Sequence, residues 1–167
     1  MTEAVREIPP RSDGCAMSDG YIQLTQMIER LHRRMLDVIR LQLESAGVSD
    51  INPAQALMLT KIEGREVALR DIVERGYYIG SNASYNIKQL VDAGYAEQKR
   101  SAHDKRAVKV SLTRKGEELC ERLAGYARDQ GARIIADAGA RKDAETTVEL
   151  LRKVEQAWSE YLRYGTV

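Results

Sequence analysis

The chain has 167 residues, of which 43% are hydrophobic and 31% are charged. This length allows one compact domain, or a small domain with helical extensions, and it excludes two independent enzymatic domains. The composition is typical of a soluble globular protein. We expect a cytoplasmic protein with no membrane association, because no apolar run reaches the roughly 18 residues of a membrane span and acidic residues interrupt the first 20 positions.

The formal net charge of +1 is unevenly distributed along the chain. Residues 61–115 contain 12 Lys and Arg against 7 Asp and Glu, a net charge of +5, whereas residues 1–60 and residues 116–167 each have a net charge of −2. A basic centre between mildly acidic flanks suits a module that faces DNA phosphates and is held by segments that do not. A solvated charged surface is the alternative interpretation.

The first half of the chain predicts a tail followed by helices. Residues 1–19 contain two adjacent prolines and no periodicity, which predicts a flexible tail. Over residues 20–48 apolar residues recur at three- and four-residue steps, as in a long amphipathic helix. A second helix is predicted from Asn52 to about residue 63, since Asn is a good N-cap and Gln55 can complete a capping box.

The remaining elements follow in the order of a winged domain. A third short helix and a turn at residues 76–80 precede a helix over residues 81–92, which has apolar residues on one side and polar residues on the other. Two short runs, at residues 95–100 and 107–112, predict a β-hairpin with a cationic connection. Two further amphipathic helices, with a break near Gly139, complete the chain.

This order predicts a mainly α fold with a small β-hairpin wing, a winged helix-turn-helix flanked by long dimerisation helices. The predicted organisation is a flexible tail (1–19), a first dimerisation helix (20–48), the winged DNA-binding domain (52–112) and C-terminal dimerisation helices (113–167). The apolar faces of the flanking helices need a partner, and a homodimer provides one. A helix fits the major groove of DNA, and a cationic loop can reach the minor groove.

Three motifs carry a resemblance to a known family. They are Leu90-Val91-Asp92-Ala93-Gly94-Tyr95, Asp104-Lys105-Arg106 and Val110-Ser111-Leu112-Thr113-Arg114-Lys115-Gly116. In this order and spacing they resemble the recognition-helix exit, the wing and the wing exit of MarR family regulators. The resemblance implies a homodimer on a palindromic operator, repression of a nearby gene and an affinity altered by a small aromatic effector. Activation is the alternative sign of regulation.

The predicted DNA-binding residues are polar or basic, with one tyrosine among them. They are Ser81, Asn82, Ser84, Tyr85 and Lys88 on the recognition helix, and Lys99, Arg100, Asp104, Lys105 and Arg106 on the wing. The resemblance implies that Asp104 orients Arg106 toward the minor groove. Lys88, Lys99, Arg100 and Lys105 are expected near phosphates. Two positions depart from the family pattern: Asn86 replaces an apolar residue, and Tyr85 replaces a frequently basic one.

Other function classes have weaker support in the sequence. We predict no enzymatic activity, no cofactor and no metal site, because the chain has no nucleophile–base, phosphate-loop or metal-ligand signature and its two histidines are isolated. A thiol-based redox sensor of the same fold, using Cys15 or Cys120, is one alternative. A winged-helix adaptor that binds proteins instead of DNA is the other. Salt-dependent binding to double-stranded DNA distinguishes a regulator from an adaptor.

Overall fold

A computed structural model describes residues 13–62, 66–76, 80–100 and 108–165, with the side chains of residues 13–18, 73–76, 80–81 and 100 outside the description. The predicted fold class is confirmed, since the chain is mainly helical with a small antiparallel sheet. It divides into two compact units, Met1–Gly116 and Glu117–Val167. The helices are α1 (Asp13–Ser45), α2 (Pro53–Leu59), α3 (Leu69–Gly76), α4 (Gly80–Asp92), α5 (Arg114–Ile134) and α6 (Ala138–Tyr164).

The sheet has three strands in the order β1-β3-β2. They are β1 (Val67–Ala68), β2 (Ala96–Arg100) and β3 (Val108–Leu112). The predicted hairpin is formed by β2 and β3, which pair antiparallel from Ala96 opposite Leu112 to Arg100 opposite Val108. Directly before α3, β1 adds a third strand to this hairpin, because Val67 pairs with Val110 on the open edge of β3.

Several helix boundaries differ from those expected. Helix α1 begins at Asp13, so part of the predicted tail is helical. Residues 13–20 contain two glycines but no proline. A glycine in a helix interior costs only about 1 kcal/mol, so this segment can continue the helix. Helix α2 ends at Leu59 rather than near residue 63, with Thr60 as its C-cap. The break before α6 lies at residues 135–137 rather than at Gly139, because the Asp137 side chain caps α6 by accepting a hydrogen bond from Ala140 N at 2.8 Å.

The core of the first unit lies between α2, α3, α4 and the sheet. Its fully buried members are apolar, and the largest of them are Met58, Leu59, Ile62, Ile72, Ile87, Leu90, Tyr95 and Val110. Ile39 and Leu43 are also buried near the C-terminal end of α1, which packs against α2. In the second unit Leu119 of α5 and Val154 of α6 are buried. The core of the first unit thus supports α4 from one side.

Candidate nucleic-acid interface

Helix α4 has one face in the core and the opposite face exposed. Ala83, Ile87 and Leu90 have no exposed surface and pack toward α2, α3 and β2. Residues two positions apart on a helix lie about 200° apart around its axis, so Tyr85 lies opposite both Ala83 and Ile87. Burial of three apolar side chains determines which face of α4 is presented outward.

Four of the five residues predicted on the recognition helix lie on its exposed surface. Asn82, Ser84 and Lys88 are exposed, and Tyr85 is 63% exposed. Ser81 lies in the first turn of α4, and its side chain is outside the described part. The helix thus presents amide, hydroxyl, phenol and ammonium groups together, the types that contact base edges and phosphates.

A polar contact connects α4 to the start of α2. Gln55, which is 6% exposed, donates from Nε2 to Asn86 Oδ1 at 3.3 Å. The same side chain accepts from Asn52 N at 2.9 Å, and Asn52 Oδ1 accepts from Gln55 N at 2.9 Å, so the predicted capping box is present. This network explains the departure at Asn86, because the amide lies against a buried donor that an apolar residue would leave without an acceptor.

The turn after α4 is joined tightly to the start of α5. Gly94 has a φ of +78°, which a residue without a Cβ adopts readily. Thr113 N donates to Tyr95 O at 3.0 Å, and Thr113 Oγ1 donates to Gly94 O at 2.6 Å and accepts from Gly116 N at 3.2 Å. Gly116 lies so close to Tyr95 that a Cβ there would overlap the Tyr95 carbonyl oxygen. The close approach of the start of α5 to Gly94 and Tyr95 therefore accounts for Thr113 and Gly116 in the wing-exit motif.

Three side chains to which the sequence assigned no individual role meet beside this turn. Tyr95 donates its hydroxyl to Asp50 Oδ1 at 2.8 Å, and Lys115 Nζ donates to Asp50 Oδ2 at 2.9 Å and to Ala93 O at 2.9 Å. The Lys115 ammonium also lies 3.9 Å from the centre of the Tyr95 ring, a cation–π contact. Since Asp50 lies 45 and 65 residues from its two partners, no local pattern indicates this cluster.

The ion pair in this cluster shifts the pKa values of its members. The hydrogen bond from Lys115 holds the pKa of Asp50 below its ordinary value, and the hydrogen bond from Tyr95 acts in the same direction. The pKa of Lys115 is raised chiefly by its hydrogen bond to Asp50. Burial, followed by the bond to Asp50, raises the pKa of Tyr95. Asp50 and Lys115 are thus both charged at neutral pH and join the α1–α2 connection to the first turn of α5.

On the wing, the described basic side chains pair with neighbouring acids. Lys99 contacts Glu97 at 2.8 Å, and Lys109 contacts Glu66 at 2.9 Å, both pairs being well exposed. These pairs raise the pKa of Lys99 and lower those of Glu97 and Glu66. Exposed pairs of this kind contribute little stability, so the contact with Glu97 holds Lys99 only weakly.

The other wing residues on the predicted DNA-binding surface are incompletely described. Arg100 is the last residue of β2, and its side chain is outside the description. Asp104, Lys105 and Arg106 lie outside the described residues. Their contacts with DNA therefore stay predictions.

The sites considered for other functions have the following positions. Cys120 is half-buried on α5, and Cys15 lies on α1 with its side chain outside the description. Among the described residues, no group of three or more His, Cys, Asp or Glu could hold a metal ion. In the same part of the chain, no helix combines the length and the apolarity needed to cross a membrane.

Comparisons with known proteins agree with the winged helix-turn-helix fold described above. Residues 51–116 match the family model for a winged helix DNA-binding domain. The chain is 36% identical over 145 residues to the exopolysaccharide II synthesis transcriptional activator ExpG of Rhizobium meliloti (strain 1021), a match that covers 87% of this chain and 75% of that protein. Residues 51–116, the segment that matches the family model, include α4, the three strands and the first residues of α5.

Two solved structures show the same fold. A MarR transcriptional regulator from Methanosarcina mazei Go1 is similar with a TM-score of 0.69 at 20% identity, over 80% of this chain and 97% of that one. Streptococcus pneumoniae FabT, solved in complex with DNA, has a TM-score of 0.70 at 17% identity, over 84% of this chain and 98% of that one. At these identities the likeness establishes the fold.

Proposed function

Because this chain belongs to the MarR-type winged-helix family of transcriptional regulators, we propose that it binds a palindromic operator as a homodimer. Each protomer places α4 in a major groove, and the two helices enter successive grooves about 34 Å apart. The observation that carries this proposal is the exposed polar face of α4 opposite its three buried apolar residues. Ser81, Asn82 and Ser84 supply polar groups for reading the bases, Tyr85 lies beside them, and Lys88 lies near a phosphate.

The wing completes the proposed contact surface. Arg106, oriented by Asp104, enters the minor groove, where the narrow groove concentrates negative potential. Lys99, Arg100 and Lys105 lie near phosphates and contribute affinity without sequence selectivity. The basic charge of residues 61–115 supports this arrangement, since it coincides with the winged segment.

The proposed dimer covers the apolar surface that the long helices expose. On α1 the exposed large apolar residues include Ile22, Met27, Leu31, Met35 and Leu41, and Leu31 is 58% exposed. On α6 they include Leu150, Trp158, Tyr161, Leu162 and Tyr164, and Leu162 is 81% exposed. Apolar surface on this scale supports association with a second copy, since monomeric proteins rarely expose it. Residues 20–48 and 113–167 therefore serve dimerisation, and residues 52–112 bind DNA.

Repression of a nearby promoter is the sign of regulation that the family resemblance implies. Activation is the second candidate, because the relative with 36% identity is named as a transcriptional activator. A promoter fusion in cells with and without the gene decides between them: higher reporter output without the protein supports repression, and lower output supports activation. The proposal further includes a cytoplasmic location. It also includes a small aromatic effector that binds two dimer conformations unequally and so shifts their populations.

Fluorescence anisotropy tests the DNA-binding proposal directly. The purified protein is titrated into a duplex from its own upstream region and into a scrambled duplex across a salt series. Tight, selective binding that weakens with salt supports the regulator, and equally weak binding to both at near-physiological salt favours the adaptor.

Arg106→Ala tests the wing separately. We expect operator binding to weaken by roughly 5- to 150-fold, equivalent to about 1–3 kcal/mol, with an unchanged dimer by light scattering. Arg141→Ala, at an exposed position on α6, is the matched control and should leave affinity within twofold. Equal affinity of the Arg106 variant and the wild type would remove the wing from the proposed interface.

A further inference from the structure

The exposure of Tyr85 distinguishes it from the other large hydrophobic side chains described in residues 51–116, the segment that matches the winged-helix family model. Among the described residues, the other exposed large hydrophobic side chains lie on α1 or from Ile134 onward. Within the described side chains of residues 51–116, Tyr85 is the one large hydrophobic residue that is exposed, at 63%. A single exposed aromatic residue is common on protein surfaces, so the position of Tyr85 has to carry the argument.

Tyr85 lies at the centre of the outward face of α4. It is the sixth residue of the helix, and the buried Ala83 and Ile87 lie on the opposite side. Exposed Asn82 and Lys88 lie three residues before and after it, one turn away along the same surface. When a recognition helix enters the major groove, the residues of its N-terminal half contact base edges. On a helix that enters the groove with this face, the Tyr85 ring is therefore directed toward the base edges.

The chemistry of the groove limits what an aromatic ring can contact there. The major-groove edges of the four bases present hydrogen-bond donors and acceptors, and the C5-methyl group of thymine is the apolar group among them. A ring that loses its water on entering the groove gains most where it covers another apolar group. We propose that Tyr85 is a specificity-determining residue that recognises thymine in each operator half-site through contact of its ring with the C5-methyl group. This inference rests on the proposed operator binding.

The proposal predicts a specific loss when the methyl group is removed. In an operator duplex selected with the wild-type protein, each thymine is replaced in turn, in both half-sites, by uracil, which lacks only the methyl group. At one symmetric pair of positions we expect wild-type affinity to fall about fourfold for each methyl group, or about 0.8 kcal/mol. The other thymines should tolerate the replacement.

Variants of Tyr85 separate the ring from the hydroxyl. Tyr85→Ala should bind the thymine duplex more weakly and bind thymine and uracil duplexes equally at the sensitive pair. Tyr85→Phe should retain the fourfold preference for thymine. Because the side chain is exposed, both variants should melt at the wild-type temperature, and Asn82→Ala is the control that keeps the thymine preference at this pair.

The remaining outcomes refute the methyl contact, the role of the ring or the proposed operator binding. A thymine preference that persists in Tyr85→Ala, or wild-type binding that is insensitive to every uracil replacement, refutes the methyl contact. If Tyr85→Phe loses the preference as Tyr85→Ala does, the hydroxyl and not the ring carries recognition, and the proposal fails. If the wild-type protein binds no duplex selectively, the proposed operator binding itself is wrong, and this result is distinguishable from the first three.

Discussion

Gly116→Ala should destabilise the protein even though alanine is the better helix former. Its Cβ would overlap the Tyr95 carbonyl oxygen, lie 3.1 Å from the Tyr95 carbonyl carbon and lie 3.3 Å from Leu112 Cδ2. A backbone carbonyl has no alternative rotamer, so the first turn of α5 has to shift, which stretches the 3.0 Å hydrogen bond from Thr113 N to Tyr95 O. The variant therefore combines a steric overlap with a weakened junction.

The expected magnitude follows from three contributions. Overpacking costs about 1–3 kcal/mol, a lost hydrogen bond costs about 1 kcal/mol, and the helix propensity of alanine offsets at most about 1 kcal/mol. The free energy of unfolding should fall by about 2 kcal/mol, which for a chain of this length lowers Tm by roughly 4–8 °C. Urea and thermal unfolding followed by circular dichroism, at one fixed protein concentration, measure both quantities.

Gly125→Ala is the matched control on the same helix. The nearest atom to its added Cβ is Arg128 Nη2 at 3.8 Å, an ordinary contact. The same substitution should here stabilise the protein by about 0.5–1 kcal/mol. The two variants should thus shift stability in opposite directions, and a Gly116 variant as stable as the wild type would refute the close-approach argument.

Two further predictions concern side-chain contacts of the winged unit. Asp50→Asn should have a lower free energy of unfolding than the wild type at neutral pH. The hydrogen bond from Lys115 lowers the pKa of Asp50 in the folded state. The difference in free energy of unfolding should therefore shrink as the pH falls below about 4, where Asp50 becomes protonated. Urea unfolding at pH 7, 5 and 3 measures it, and a difference independent of pH would contradict the ion pair. Gln55→Ala removes the bonds to Asn52 N and Asn86 Oδ1 and should lower the free energy of unfolding by about 1–2 kcal/mol; unchanged urea midpoints would exclude a stabilising role for this network.

The family and the order of the elements were predictable because their signals are local. The period of apolar residues indicated α4 and its buried side, and the alternation at residues 108–112 indicated β3. The MarR resemblance rested on the motifs from Leu90 to Gly116, and the family prediction is confirmed by the relative with 36% identity together with the shared fold. Local patterns were less accurate at boundaries, as the early start of α1 and the short α2 show.

The predicted outward face of α4 agrees with the structure, whereas the contacts that hold the helix in place were not predicted. Exposure of Asn82, Ser84, Tyr85 and Lys88 agrees with the pattern that selected them. The role of Asn86 was not predictable, because its partner Gln55 lies 31 residues away and looked like a capping residue only. Gln55 performs both roles at once, which a pattern confined to one helix does not indicate.

The sequence by itself determined the helices, the hairpin and the outward face of α4, since periodicity and capping depend on residues a few positions apart. Only the tertiary structure decided how α4 is held: by Gln55 from α2, by the cluster of Asp50, Tyr95 and Lys115, and by the approach of Gly116 to the Tyr95 carbonyl. These contacts join residues that are distant in the chain and meet only after burial of the apolar core has brought α2, α4 and the start of α5 together. Hydrophobic burial is non-directional, so the positions of specific polar partners follow from the packed arrangement rather than from the pattern that drives it.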